Sequence, residues 1–204
     1  MGIVPCSIEL LNRHIAHIGG LRGCRIMEIG DQQMYCHPNV PEGSAAKIWF
    51  GRQGAALHVS VDLNGLLGAL PLNLARPIEK PEFDLNFDIV TDFGTSEHVG
   101  PHLLDLYNCR ANCHRWCRSK GLLLFMNPKT GHWPGHGYHY FTQKHYEALA
   151  DACGYRVLEI SEAPSCGNTK DGWQVHAVFL KQNEPPFISF ERYQMVCANT
   201  VFTK

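Results

Sequence analysis

Arg25-Ile26-Met27-Glu28-Ile29-Gly30-Asp31-Gln32-Gln33 is the stretch that decides how the rest of the chain is read. Cys24 to Ile29 is short, apolar and compatible with a strand, and it closes on an acid and a glycine. The pattern predicts a buried strand whose carboxyl end opens into a ligand-binding turn, because ligands of open α/β sheets bind outside the carboxyl ends of the strands. Gly30 suits such a turn, since glycine permits positive φ and lets the backbone come close to a ligand.

Upstream, Ser7 is expected to cap a first helix, with Ile8, Leu11, Ile15 and Ile18 on one face and Gly19-Gly20 ending it. Downstream, strands are predicted at Leu57–Asp62, Leu70–Leu74, Phe87–Thr91, Gly121–Met126, Arg156–Ile160 and Gln174–Leu180. Helices are predicted at Ser44–Gln53, at Leu103–Arg118, and from Thr142 to Gly154 with Tyr146, Leu149, Ala150 and Cys153 on one face. Loops at 34–43, 77–85 and 129–139 hold the prolines and glycines, and the tail after Pro185-Pro186 is mixed. Strands alternate with helices and are apolar on both faces, which implies an α/β domain with a mostly parallel sheet covered on each side. A single domain over 1–204 is expected, with an N-terminal helix in 1–20, the core sheet in 21–180 and a tail in 181–204.

A chain of 204 residues buries enough surface to fold without staples. Its net charge of −1, with no run of like charge, argues against nucleic acid and against a polybasic membrane contact. No apolar stretch reaches ~18 residues, so no membrane span is expected. Neither a signal pattern nor a lipidation motif stands at Met1-Gly2, where Cys6 occupies the Ser/Thr position. Nine dispersed cysteines are expected to be reduced thiols in a cytoplasmic protein. Cys109, Cys113 and Cys117 repeat every four residues, as do His132 and His136. The cysteines continue the apolar stripe of Leu103 and Leu106, so they are read as a core face and no metal is expected. Arg110, His114, Arg115 and Arg118, interleaved with them, are expected on a solvated face.

Four strand ends fall into register on one sheet edge: Glu28-Ile29-Gly30-Asp31, Asp62-Leu63-Asn64, Asn73-Leu74 and Asp92-Phe93-Gly94. An acid ending the second strand is the feature that holds two ribose hydroxyls in nucleotide-binding sheets. The residues after Gly30 do not supply Gly-x-Gly-x-x-Gly, which excludes the nicotinamide-binding pattern.

With Ile26-Met27-Glu28-Ile29-Gly30, Val59-Ser60-Val61-Asp62-Leu63, Phe87-Asp88-Ile89-Val90 and Glu97-His98-Val99, the chain from Leu21 to about Leu180 resembles the class I S-adenosylmethionine-dependent methyltransferases. It is most similar to small members carrying Phe-Gly-Thr-Ser-Glu-His-Val, here Phe93 to Val99. The resemblance implies a Rossmann-like seven-stranded sheet with its last strand antiparallel, and S-adenosylmethionine as cofactor. It implies cofactor contacts from Glu28, Gly30, Asp31, Gln32, Asp62, Leu63, Asn73, Leu74, Asp92 and Phe93. Two positions depart from the family pattern: Gln32 stands where a second glycine is usual, and Asn73 replaces an acid. These departures keep open a second reading, a methyltransferase-like binding module without turnover.

A small-molecule acceptor is expected. Methyl transfer chiefly needs alignment of two reactants, and positioning can supply ~7–11 kcal/mol. A base is needed only where the acceptor loses a proton. His98, His136 and His132 are the candidates, with His139 beside them and Tyr138 and Glu97 as helpers. His98 has the alternative of capping the helix after the fourth strand. The loop from Lys129 to His139 is expected to have a free middle and act as a lid, against the alternative of an exposed loop of no special role.

Overall fold

The computed structural model describes residues 2–35, 37–166, 168–198 and 202–203, so Cys36 lies outside the described residues. Helix α1 (Pro5–His14) opens on a proline, whose missing N–H is an orphan there in any case. Ser7 therefore sits within the first turn and does not cap it; the N-cap is Val4. The buried face is Ser7, Leu10, Leu11 and His14, rotated from the expected stripe, and a 3-10 turn at Ile15–Ile18 ends at Gly19 with φ 87°.

Strand β1 (Arg25–Ile29) follows, then α2 (Ala46–Arg52), β2 (Leu57–Asp62), β3 (Leu70–Pro71) and β4 (Phe87–Phe93). Next come α3 (Leu103–Trp116), β5 (Cys117–Pro128), α4 (Gln143–Cys153), β6 (Arg156–Ser165), β7 (Asn168–Leu180) and α5 (Phe190–Cys197). The seven strands form one sheet in the order β3-β2-β1-β4-β5-β7-β6. Pairs among β1 to β5 are parallel, and β7 runs antiparallel to both β5 and β6. The carboxyl ends of β1 to β5 thus open on one edge. β3 is shorter than expected because the Asn73 side chain accepts from the Ala75 N–H at 2.9 Å and turns the chain.

The pleat sends alternate residues to two cores. Met27, Ile29, Leu123 and Phe125 face α3, α4 and α5. Ile26, Leu122 and Leu124 face Leu10 and Leu11 of α1 and Trp49 and Phe50 of α2. Each such side chain contributes ~1.5–3 kcal/mol on burial. Helix α4 matches its expected cap and face: Thr142 accepts from the His145 N–H, Gly154 closes it at φ 66°, and Tyr146, Leu149, Ala150 and Cys153 are buried.

Helix α3 departs from expectation on its supposed wet face. Cys109 and Cys113 are in the core, yet Arg110 and His114 are buried too, at 2% and 3% exposure. The reason is packing on several sides of the helix, which periodicity cannot show: Arg110 bonds to Asp92, Asn127 and Tyr146, and His114 to Tyr155 and the Pro185 carbonyl. Asn108 and Asn112 donate to the carbonyls of Ala75 and Arg76, and the Ile78 N–H donates to Asn112 Oδ1, which lays the 75–78 segment along the helix. On another side, the tail carries α5 into the same core through Tyr193, Val196 and Cys197. Lys181, 1% exposed, ends α3 by donating to the carbonyls of His114 and Cys117. Among the described residues no helix is long and apolar enough to cross a membrane.

Candidate functional site

The turn after β1 is built by close contact. Gly30 has φ 91°, and a Cβ there would stand 2.1 Å from Thr95 Oγ1 and 2.7 Å from Gln32 Nε2. Thr95 Oγ1 donates to the Ile29 carbonyl at 2.9 Å, so it must accept from Gln32 Nε2 at 2.8 Å. That fixes the amide orientation and leaves Gln32 Oε1 buried with no partner among the described residues. Gln32 fills the position of the usual glycine with a side chain that ties the first turn to the fourth. Glu28 lies beneath the turn, 1% exposed: Oε1 accepts from the Gln32 N–H at 3.3 Å, and Oε2 is 3.5 Å from His58 Nε2. Burial raises the Glu28 pKa, against the opposing pull of His58. Glu28 is therefore a support of the turn, away from the cleft surface on which it was expected.

Two adjoining clefts open over this edge. One, of about 240 Å³, is lined by Asp31, Gln32, Asp62, Thr95 and His98. The other, of about 250 Å³, shares Asp62, Thr95 and His98 and adds Leu63, Asn73 and Leu74 among its walls. Asp62 Oδ2 accepts from the Asp31 N–H at 2.9 Å and Oδ1 from the Asn64 N–H at 3.0 Å. A carboxylate has about four lone-pair sites, so one on each oxygen stays open for a ligand. Asp31 is raised in pKa by burial and then by the Asp62 charge, with Lys47 opposing. The cleft floor thus favours a positively charged guest. Asn73 faces the second cleft with its carbonyl already accepting one N–H.

At the end of β4 the acid has the opposite fate. Asp92 is 0% exposed; its carboxylate accepts from the Thr95 and Ser96 N–H groups at 3.0 and 3.1 Å, from Ser96 Oγ at 2.5 Å and from Asn127 Nδ2 at 3.1 Å. Arg110 Nη1 donates to it at 2.7 Å. The Arg110 guanidinium lies 4.3 Å from the Phe125 ring centroid, and its Nη2 donates to Asn127 Oδ1 and to Tyr146 Oη. Burial opposes the charge of Arg110, but Tyr146 and Asp92 outweigh it and hold the group cationic. Asp92 has no capacity left for a cofactor. Phe93, 3% exposed, faces a third cleft of about 160 Å³ on the far side of Glu97. Both residues are displaced from the cofactor role expected of them.

The histidines separate into two groups. His98 ends a short 3-10 turn, Ser96–His98, while α3 begins after His102, so His98 does not cap that helix. It stands between the first two clefts, lowered in pKa by burial, with Glu97 opposing and His136 adding to the fall. Its ring is 4.8 Å from that of His136, which lines the third cleft beside Glu97. His132 lies apart, its ring 6.2 Å from Trp173. His139 is buried and bonded to the Gly100 carbonyl at 2.9 Å.

The loop over 129–139 is pinned, which corrects the expectation of a free lid. Tyr140 Oη donates to the Trp133 carbonyl and accepts from the His136 and Gly137 N–H groups. The Tyr138 N–H donates to the Glu97 carbonyl at 2.7 Å. Gly137 makes this docking possible, since a Cβ would stand 2.8 Å from that carbonyl oxygen. Glu97, named only as a helper, becomes the meeting point of the loop, the histidines and the buried network. The one hint in the sequence is Asn127, a polar residue closing the most apolar strand.

No family model and no curated protein sequence matches this chain. Solved structures do match. 1,6-Didemethyltoxoflavin-N1-methyltransferase of Burkholderia thailandensis, with 1,6-didemethyltoxoflavin and S-adenosylhomocysteine bound, superposes with a TM-score of 0.59 at 15% identity, over 86% of this chain and 77% of that one. N-methyltransferase NodS of Bradyrhizobium japonicum, in complex with S-adenosylhomocysteine, gives 0.59 at 12% identity, over 88% and 89%. The 16S rRNA (adenine(1408)-N(1))-methyltransferase of Catenulisporales acidiphilia gives 0.53 at 10%, over 87% and 94%. The seven-stranded sheet, its strand order and its antiparallel β7 are those of the class I S-adenosylmethionine-dependent methyltransferase fold.

Proposed function

We propose that the chain is an S-adenosylmethionine-dependent methyltransferase acting on a small molecule in the cytoplasm, with no nucleic-acid or membrane partner. The observation that carries this reading is the buried, unpartnered Gln32 Oε1 beside the open lone pairs of Asp62, in one cleft. The donor set fits the cofactor: Asp62 for two ribose hydroxyls, Gln32 Oε1 and the Asp31–Asp62 field for the ammonium, and Leu63, Leu74 and Asn73 for the base. When bound, the group supplies an electrophilic methyl. The chain's own part is to hold that group, orient the acceptor against it and exclude water. For an acceptor that must lose a proton, His98 and His136 stand at the boundary of the clefts and can take it. The methyltransferases of similar structure that hold S-adenosylhomocysteine support the cofactor, and one of them also holds a small molecule, 1,6-didemethyltoxoflavin. The lack of any run of basic residues favours a small acceptor. Thermal unfolding with S-adenosylhomocysteine tests the proposal: ligand at ~100 times its dissociation constant adds about 2.7 kcal/mol of stability. No shift at millimolar ligand would leave the binding-module reading in its place.

A further inference from the structure

Glu97 is 1% exposed, yet only half of its carboxylate belongs to the buried network. Oε2 accepts from Asn127 Nδ2 at 3.1 Å. Oε1 faces His136 Nε2 at 3.7 Å and His98 Nε2 at 3.9 Å. Both distances exceed a hydrogen bond. The three ligand atoms lie within 4.8 Å of one another. Ligands about 2.0–2.2 Å from a common ion stand roughly 3–3.5 Å apart, so a small rotation of the two imidazoles closes the triangle. Both can move, being 39% and 32% exposed, while the carboxylate is fixed from behind. Two protonated rings at this separation would repel each other; one dication satisfies all three groups.

We infer that Glu97, His98 and His136 form a site for a single divalent cation of the zinc class, where the cofactor clefts meet the third cleft. Two imidazoles and one carboxylate suit zinc, manganese or ferrous iron, whereas calcium and magnesium prefer all-oxygen sets. Three protein ligands with an open side are the arrangement of a catalytic site, since structural zinc sites close with four. The support behind the ligands is also in place. Asn127 orients Glu97 and is itself held by Arg110 and Tyr146. Such outer partners orient a ligand and are part of a metal site. Gly137 lets the loop carry His136 down onto Glu97. The cysteines of α3 take no part: Cys109 and Cys113 are buried in the core, and the ligand group comprises Glu97, His98 and His136. The use of the cation rests on the methyltransferase reading: with the ion bound the two imidazoles hold it in place of acting as bases, and it would hold an acceptor through oxygen and lower the pKa of that oxygen, as a dication does for bound water. The site itself does not depend on that reading.

The test uses the full chain, stripped of metal with a chelator and titrated near neutral pH with zinc chloride by calorimetry and with cobalt chloride by visible absorption. The expected result is one ion per chain and a cobalt spectrum of mixed nitrogen and oxygen ligands. His136→Ala should weaken binding by about 100-fold or more, given that loss of an outer partner alone costs about 10–100-fold. His98→Ala should do the same, and His132→Ala should change nothing. Should Glu97→Gln fail to fold, the two half-exposed histidines decide the matter alone. Absence of binding, or binding unchanged in His136→Ala, overturns the site. S-adenosylhomocysteine affinity is measured in parallel on the unmodified chain: its absence with zinc binding intact refutes the methyltransferase reading and leaves the cation site standing.

Discussion

Asp62 and Asp92 both end parallel strands on the same sheet edge, and they do opposite things. Asp62 closes β2, half-buried, with two backbone N–H bonds and a lone pair on each oxygen facing a cleft. Asp92 is the penultimate residue of β4, fully buried, paired to Arg110 and bonded to Asn127 and Ser96. The difference lies beneath the strand. Among the described residues no ion pair is made to Asp62, whereas α3 delivers a guanidinium to Asp92. An acid at a strand end is a ligand-binding group only where the fold does not neutralise it from below.

The largest effect should come from the sealed half. Arg110→Leu leaves Asp92 buried and unpaired, and breaking such a pair costs about 3–5 kcal/mol. Urea unfolding should show that loss, while Asp62→Ala stays near the original stability. Equal losses in the two variants would erase the contrast.

The sealed half should also carry acid sensitivity. The Pro185 carbonyl takes the His114 Nε2 proton at 2.8 Å, so Nδ1 accepts from Tyr155 Oη at 2.6 Å. Burial, then the Lys181 charge, lower the His114 pKa to about 4, against the Pro185 bond. Between the ordinary histidine value of about 6.5 and that folded value, the unfolded chain binds a proton that the native chain refuses. Stability therefore falls as pH drops through this window, by on the order of 3 kcal/mol. Unfolding of the parent and of His114→Phe, followed from about pH 7 to about pH 4.5, should give a flatter slope in the variant. Identical slopes would place the acid loss elsewhere.

The open half should show itself in affinity. Asp62→Ala should weaken S-adenosylhomocysteine binding at least about tenfold in a folded protein, since bonds to a charged group are worth about 1.5–3 kcal/mol each. An unchanged affinity would put the ribose somewhere else. Gln32→Leu removes one acceptor from the same cleft and should cost less, about tenfold at most. If it bound more tightly, the buried amide would be an obstacle and its free oxygen no ligand.

Several strands were legible as short apolar runs closed by an acid, a glycine or a proline, and Ile26–Gly30 and Gly121–Met126 carry that signal plainly. The open site was legible at Asp62 and Asp31, where local chemistry and final exposure agree. Periodicity put Arg110 and His114 on a wet face because it sees one helix at a time. Arg110 is buried by Asp92, Asn127 and Tyr146, and His114 by Tyr155 and the tail at Pro185, all contributed by other elements of the chain. Gln32 was misread for a related reason. As a missing glycine it counts as a loss, and only the placement of Thr95 shows that its amide replaces flexibility with two polar atoms.

The docking of Gly137 and Tyr138 on the Glu97 carbonyl bears on the hydrogen-exchange clock of the loop. A glycine-rich surface segment ordinarily exchanges its amides through frequent local opening, while core segments wait for larger unfolding events. Here the Tyr138 amide ends on a carbonyl whose own side chain is locked to Asn127 in the buried network. That amide reaches water only when the loop lifts off Glu97. The segment from His136 to Tyr138 should therefore exchange more slowly than its glycine content alone implies.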